Sequence, residues 1–182
     1  YDTTNWVSDY VVSENHSHRV VISEALEALE PYESLLEIGC NAGPNLRRIK
    51  GKVLAGIDAS KDAIDQAREL LPDADLRVGD MRELPWKYKS FDILLADAAL
   101  MYINPEEIDA MMSEIDRVTK DAVVIVDRFN ESLKGEVTGF VWGRNYPKLL
   151  EQLGFKVRVN PVIWPESPNW EKYGIVVSAA RL

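Results

Sequence analysis

Cysteine is almost missing from this chain, since Cys40 is the only one among 182 residues. A single cysteine excludes an internal disulfide and a metal cage built from several thiolates, and it is typical of a reducing cytoplasm. The sequence also lacks an apolar run near the roughly 18 residues that span a bilayer, and its beginning lacks the pattern of a signal peptide. We therefore expect a cytoplasmic protein with no membrane partner.

Basic residues are the scarcer charged class. The chain has 21 lysines and arginines against 30 acidic residues, which gives a net charge of −9. This charge repels nucleic-acid backbones at long range, so no nucleic-acid partner is expected. The basic residues that do cluster are interpreted as a solvated helix face; they are Arg47, Arg48, Lys50 and Lys52.

Repeats, low-complexity tracts and long flexible linkers are absent too, and the length suits one domain with one core. Strand-like apolar runs alternate with helix-like segments until two strand-like segments, 155–159 and 173–179, follow each other without a helix. This pattern predicts an α/β, Rossmann-like three-layer sandwich. Its seven-stranded sheet is expected to be mostly parallel, with one antiparallel strand from a C-terminal hairpin. Residues 1–30 are predicted to form a helical lid segment and residues 31–182 the core of the single domain.

The segment from Leu35 to Gly43, LLEIGCNAG, is the most informative about function. Its apolar start predicts a buried strand, and Gly39 and Gly43 let the backbone turn sharply and approach a ligand closely. Open α/β sheets bind nucleoside ligands at such turns. Asp58 closes the next strand, where one carboxylate can accept hydrogen bonds from both hydroxyls of a ribose. A nucleoside cofactor is therefore predicted.

In this order the motifs resemble those of the class I S-adenosylmethionine-dependent methyltransferases, in particular the small single-domain type. The resemblance extends over roughly residues 34–180. It implies that the glycine turn and the segment after the fourth strand contact the methionine end of S-adenosylmethionine. It implies too that Asp58 binds the ribose, and that Asp80 and Met81 bind the adenine. The predicted cofactor-binding residues are Glu37, Gly39, Cys40, Asn41, Gly43, Asp58, Ala59, Asp80, Met81 and Asp97, with Tyr10 from the lid.

Two positions depart from the family pattern. Asn41 stands where the middle glycine is usual, which also breaks the G-x-G-x-x-G pattern of nicotinamide binders. Ala59 follows the ribose carboxylate, where many relatives have a larger apolar side chain. Met81 is therefore expected to cover more of the adenine ring.

One group of catalytic candidates lies in the predicted lid. His16 and His18 are candidate general bases, with a solvated helix entry as the alternative. No metal is predicted at this H-x-H pair, because no remote ligand cluster completes a shell. Trp6 and Tyr10 are expected to screen the site from water.

A second group of candidates follows the fifth strand. Arg128 and Arg144 are suited to hold a carboxylate or phosphate of an acidic substrate, and Tyr146 is a further catalytic candidate. The alternative for the two arginines is ion pairing with nearby acidic side chains, namely Asp127, Glu131 and Glu136.

The resemblance implies an enzyme that transfers a methyl group from S-adenosylmethionine to an acceptor and releases S-adenosylhomocysteine. An Asn or Asp followed by two prolines, the usual pattern for methylation of nucleic-acid bases, is missing at Asp97 to Ala99. With the acidity of the chain, this favours a small-molecule acceptor, bound by a monomer or homodimer. Two alternatives stay open. One is a non-catalytic methyltransferase-like protein that binds the cofactor and serves a partner; the other, which Asn41 and the hairpin disfavour, is a nicotinamide-dependent oxidoreductase.

Overall fold

A computed structural model describes residues 13–138, 141–162, 165, 167, 170 and 173–181. Within these residues the helices are α1 (His18–Glu27), α2 (Lys61–Leu70), α3 (Ile108–Val118) and α4 (Tyr146–Gln152). The strands are β1 (Ser34–Ile38), β2 (Val53–Asp58), β3 (Asp75–Val78), β4 (Phe91–Asp97), β5 (Thr119–Arg128), β6 (Glu136–Thr138), β7 (Val141–Gly143), β8 (Lys156–Pro161) and β9 (Gly174–Ala180). None of the described helices is long and apolar enough to cross a membrane.

Seven of these strands form one sheet in the order β3-β2-β1-β4-β5-β9-β8. The first five of that order are parallel, whereas β9 runs antiparallel to both β5 and β8. The predicted mostly parallel sheet with one antiparallel strand from a C-terminal hairpin is therefore confirmed. Because the parallel strands share a direction, the turns after β1, β2, β3, β4 and β5 all lie at one edge of the sheet.

Apolar layers cover both faces of the sheet. On one face α3 and α4 contribute Met111, Ile115 and Leu150 to a buried cluster with strand residues. On the other face Ile22 of α1 and Ile64 of α2 belong to a second buried cluster. Burial on both faces explains why β4 is apolar without alternation. The three-layer arrangement leaves the carboxyl edge of the strands as the place for a ligand.

The connection from the glycine turn to β2 is more extended than expected. Arg47 and Arg48 were expected on a solvated helix face, but only a 3-10 turn, Leu46–Arg48, forms there. Nine residues separate Gly43 from Val53, and a helix of that length would span about 14 Å. The connection runs back along the length of the five-residue strand β1, which is about 17 Å. Because this is longer than the helix would be, part of the connection is extended. Two other short strands, β6 and β7, form a separate antiparallel pair that the sequence pattern did not predict.

Candidate cofactor and acceptor site

The turn after β1 has the backbone of a glycine turn although it contains Asn41. Asn41 takes a φ of 49°, in the left-handed region that asparagine tolerates better than most residues. Its side-chain Oδ1 accepts a hydrogen bond from Ala42 N at 2.7 Å, and its backbone N donates to Asp58 Oδ2 at 3.0 Å. The missing middle glycine therefore leaves the turn intact and joins it to the predicted ribose carboxylate.

Gly39 marks the closest approach in this turn. Its φ is +67°, and a Cβ added there would lie 2.7 Å from Ala99 Cβ, in the segment after β4. The backbone N–H groups of Gly39 and Cys40 both donate to Ile57 O, at 2.8 and 3.1 Å. The Cys40 side chain is 1% exposed, and this burial raises the pKa of its thiol well above the usual value. Cys40 thus faces the core and offers a ligand only its main chain.

A groove of about 230 Å³ lies beyond the ends of β2 and β3. Asp58 and Ala59 line one part of it and Asp80 and Met81 another. The Asp58 carboxylate accepts from Ser60 N at 2.9 Å through Oδ1 and from Asn41 N through Oδ2. Because a carboxylate has about four acceptor positions, Asp58 keeps capacity for two hydroxyl donors. The groove brings together the four residues predicted to contact ribose and adenine.

Asp80 in this groove is already paired with a neighbour. Arg82 Nε lies 2.9 Å from both Asp80 carboxylate oxygens, and Arg82 Nη1 bonds Glu107 across the groove. The Arg82 hydrogen bonds hold the pKa of Asp80 below its usual range. Asp80 is therefore ionised at neutral pH, with acceptor positions left for an amine donor.

A buried polar network lies beside the glycine turn, at the ends of β1 and β4. Asn45 Nδ2 donates to Glu37 Oε1 at 2.7 Å and to Asp97 Oδ2 at 3.0 Å. Arg19 Nη1 donates to Asn45 Oδ1 at 2.7 Å and to Asp97 Oδ2 at 2.8 Å. His18 Nε2 lies 3.3 Å from the same Asp97 oxygen. This network fastens the start of α1 onto the carboxyl edge of the sheet.

The two carboxyl groups of the network differ in charge. Burial raises the pKa of Glu37 to about 8, although the Asn45 hydrogen bond opposes the shift. Burial acts in the same direction on Asp97, but the hydrogen bond from His18 and the electrostatic attraction of His18 and Arg19 outweigh it and lower that pKa. Glu37 Oε2 and Asp97 Oδ1 are buried without a hydrogen-bond partner among the described residues. The charged Asp97 oxygen suits a cationic ligand group, whose approach would also favour ionisation of Glu37.

The proton on Glu37 makes the stability of the protein depend on pH. Its folded pKa of about 8 lies above the model-compound value of 4.5, so its stabilising contribution is complete below about pH 4.5 and is lost as the pH rises to 8. We expect the free energy of unfolding to fall over this window, with Glu37 contributing up to about 1.4 kcal/mol per pH unit. Glu37→Gln should flatten the slope in urea unfolding at pH 5.5, 6.5 and 7.5.

The exposed residue Glu69 provides the matched control, because Glu69→Gln should leave the slope unchanged. Burial also raises the pKa of Asp127, to about 7, so part of the slope should persist in Glu37→Gln. Equal slopes in the wild type and Glu37→Gln would contradict the assignment of a buried, protonated Glu37.

Arg144, one of the candidates for binding an acidic substrate, serves the fold instead. It is fully buried, and its guanidinium donates to Leu100 O at 2.9 Å, to Lys134 O at 3.1 Å and to Ile103 O. Asp127 acts on the same segment, since its Oδ2 accepts from Met101 N at 3.0 Å. Together they hold the turn after β4, which packs against Gly39.

The four predicted catalytic residues occupy different environments. His18 is 2% exposed, and the ring of half-buried His16 lies 5.9 Å from it, measured between centroids. Tyr146 is fully buried on α4, where burial raises the pKa of its hydroxyl well above the usual value. Arg128 is half-buried at the end of β5. The structure thus brings the two histidines together near Asp97 and keeps Tyr146 in the core.

The sequence patterns did not predict two residues of the site, and one predicted residue lies outside the described part of the chain. Arg19 and Asn45 complete the buried network, yet neither belongs to a motif; Asn45 had only its place beside the glycine turn as a signal. Tyr10 lies outside the described residues, so its predicted contact with the cofactor stays a prediction. Within the described ranges no group of three or more His, Cys, Asp or Glu side chains is arranged to hold a metal ion.

Comparison with known proteins agrees with this geometry. A family model described as a methyltransferase domain matches residues 35–122. Indolepyruvate C-methyltransferase from Streptomyces griseus is 28% identical over 96 residues, which cover 47% of this chain and 29% of that enzyme. The chain spans between 26% and 50% of the length of the curated relatives that it matches.

Solved structures share the fold over most of the chain. A SAM-dependent methyltransferase from Aquifex aeolicus superposes with a TM-score of 0.65 at 20% identity, covering 93% of this chain and 92% of that one. Magnesium protoporphyrin IX methyltransferase from Synechocystis PCC 6803, solved with bound S-adenosylhomocysteine, gives a TM-score of 0.67 at 18% identity, covering 91% and 83%. Residues 35–122 thus match a methyltransferase domain, and the chain has the fold of solved S-adenosylmethionine-dependent methyltransferases, in agreement with the resemblance of its motifs.

Proposed function

We propose that this chain transfers the methyl group of S-adenosylmethionine to a small-molecule acceptor. The observation that carries the proposal is the pair of unpartnered, buried oxygens on Glu37 and Asp97 beside the groove of Asp58 and Asp80. The hydrogen bond from Asn41 N to Asp58 joins the two regions. A ligand with a cationic end and a nucleoside end matches them both.

The residues fit this cofactor part by part. Asp58 would accept the ribose hydroxyls, and Asp80 and Met81 would receive the adenine amine and ring. Glu37 and Asp97 would face the ammonium group of the methionine end, where a Cβ on Gly39 would collide with Ala99. Ala42 and Gly43 continue the turn, and Ala59 keeps the groove open. When bound, the cofactor supplies a methyl group already activated by a sulfonium sulfur.

Positioning is the main task of the protein in this reaction. Asp127 and Arg144 fix the turn after β4, so that the methyl acceptor meets a rigid wall at the edge of the sheet. A base is needed only for an acceptor that arrives protonated. His16 is then the proposed base, since His18 is occupied with Asp97 and Tyr146 is in the core. The predicted lid of residues 1–30, with Tyr10, is proposed to exclude water.

The setting of the reaction is proposed on the same grounds. The reduced, buried Cys40 and the net charge of −9 suit a cytoplasmic protein that binds a small molecule rather than nucleic acid. We propose a monomer or homodimer. The S. griseus relative is named for methylation of indolepyruvate, a small molecule, which supports the acceptor class.

Transfer of a labelled methyl group tests the proposal. The protein is incubated with S-adenosylmethionine carrying a labelled methyl group and a metabolite extract, and labelled products are identified by mass. We expect one labelled small molecule, formed more slowly by Asp58→Ala at a limiting concentration of the cofactor. Cofactor binding without label on any small molecule would contradict the proposed activity and favour the non-catalytic alternative.

A further inference from the structure

We infer that the methyl acceptor carries an anionic oxygen group, a carboxylate or a phosphate, and that the Arg128 guanidinium binds it. The inference rests on the proposed function, because it names the class of acceptor for the same site. Arg128 is the last residue of β5, at the carboxyl edge of the sheet. Its main chain is fixed there, since Arg128 N donates to Asp127 Oδ1 at 2.7 Å and its carbonyl accepts from Arg144 N at 3.0 Å.

The Arg128 side chain forms no ion pair with a described residue. Its Nε is buried and donates no hydrogen bond there. The nearby acidic side chains expected to pair with it bind amides instead, because Glu136 accepts from Asn130 Nδ2 at 2.7 Å and Glu131 from Asn145 Nδ2 at 3.2 Å. The neighbouring Asp127 carboxylate accepts from two backbone N–H groups.

Other buried or half-buried arginines of this chain do have hydrogen-bond acceptors. Arg19 donates to Asp97 and Asn45, Arg117 to Glu114, and Arg144 to main-chain carbonyls. A charged donor buried without an acceptor costs free energy. An acceptor supplied by a bound molecule removes that cost, and a guanidinium holds a carboxylate or phosphate with two parallel hydrogen bonds.

One aromatic side chain lies beside the Arg128 guanidinium, and another lines the cofactor groove. Its central carbon lies 5.7 Å from the centroid of the Trp170 ring, and Trp170 is 8% exposed. Tyr102, which is 64% exposed, lines the groove of Asp58 and Asp80. The residue before it, Met101, donates its backbone N–H to Asp127 Oδ2 at 3.0 Å, and Asp127 directly precedes Arg128 in β5. This hydrogen bond joins the segment that lines the groove to the end of β5 that carries Arg128.

The distance from Arg128 to the methionine end suits a small acceptor. Asp97 pairs with Val126 across β4 and β5. Arg128 lies two residues farther along, roughly 7 Å toward the open edge and one strand spacing of about 5 Å away. An acceptor anchored by its anionic group at Arg128 can thus present another atom near Asp97. Recognition of this kind fixes orientation and involves no bond making or breaking.

Fractionation of the acceptor pool tests the inference. A metabolite extract is separated on an anion-exchange resin at pH 7, and the retained and flow-through fractions are each incubated with the protein and methyl-labelled S-adenosylmethionine. We expect labelled product from the retained fraction only. Treating that fraction with a phosphatase beforehand distinguishes the sources, because a phosphate acceptor loses its labelling and a carboxylate acceptor keeps it.

The role of Arg128 is then tested with variants, and the substrate is the acceptor isolated from the retained fraction. Arg128→Gln should raise the KM for the acceptor about 10- to 100-fold, with the affinity for S-adenosylhomocysteine unchanged. Arg128→Lys should recover part of the loss, and Arg158→Gln, at an exposed position of β8, should behave as the wild type.

Each other outcome overturns a defined part of the account. Label from the flow-through fraction alone would overturn the inference and leave the proposed methyl transfer standing. An anionic acceptor whose KM does not respond to Arg128→Gln would overturn the assignment to Arg128. Label from neither fraction would overturn the proposed function, and the inference with it.

Discussion

Replacing Arg19 with alanine should lower the free energy of unfolding by about 3–5 kcal/mol, the usual cost of removing one partner from a buried ion pair. The Arg19 and Asp97 side chains are 3% and 8% exposed, and the distance between Arg19 Nη1 and Asp97 Oδ2 is 2.8 Å. Without the guanidinium, Asp97 keeps its buried charge with weaker compensation, and Asn45 Oδ1 loses its donor. Urea unfolding at pH 7 measures the loss.

A matched control and a double variant test whether the loss of stability comes from the buried ion pair. Arg158→Ala removes an exposed arginine and should change stability little. Combining Arg19→Ala with Asp97→Asn removes the uncompensated charge and should restore part of the stability. A loss below about 1 kcal/mol for Arg19→Ala, as found for surface pairs, would contradict the buried network.

Replacing Asp58 with alanine should weaken binding of S-adenosylhomocysteine by about 2 kcal/mol, or roughly 30-fold. The variant removes two charge-assisted acceptors for the ribose hydroxyls. It also frees Asn41 N and Ser60 N, which the carboxylate now binds at 3.0 and 2.9 Å. Calorimetric titration of each variant with S-adenosylhomocysteine measures the effect.

Two further variants separate the ribose contact from the turn. Asp58→Asn keeps one acceptor oxygen and should lose less affinity than Asp58→Ala. Asp62→Ala removes an exposed carboxylate from the first turn of α2 and should bind as the wild type. An affinity unchanged in Asp58→Ala would refute the ribose assignment.

The sheet and the groove could be predicted from the sequence because both depend on local patterns. Continuous apolar runs predicted the parallel strands, and the missing helix before β9 predicted the antiparallel one. Asp58 ends β2 and Asp80 lies two residues after β3, so the shared direction of these strands places both at the same edge. Asn41 departs from the family pattern, but it adopts the left-handed φ that such a turn requires.

The buried network could not be predicted because its members are far apart in the chain. Arg19 and Asp97 are separated by 78 positions, and nothing local in α1 indicates that an arginine turns inward. Arg144 presents the same difficulty. It follows β7, whose three residues are too few to give a strand pattern, and its burial depends on three carbonyls from other segments. Long-range polar contacts of this kind depend on the completed fold.

Calorimetric titration with two nucleotides tests the central claim most directly. The wild-type protein at pH 7.5 is titrated with S-adenosylhomocysteine and, separately, with reduced nicotinamide adenine dinucleotide. The groove of Asp58, Asp80 and Met81 beside the buried carboxyl groups of Glu37 and Asp97 predicts saturable one-to-one binding of S-adenosylhomocysteine and no binding of the nicotinamide. Saturable binding of the nicotinamide with no response to S-adenosylhomocysteine would contradict the account.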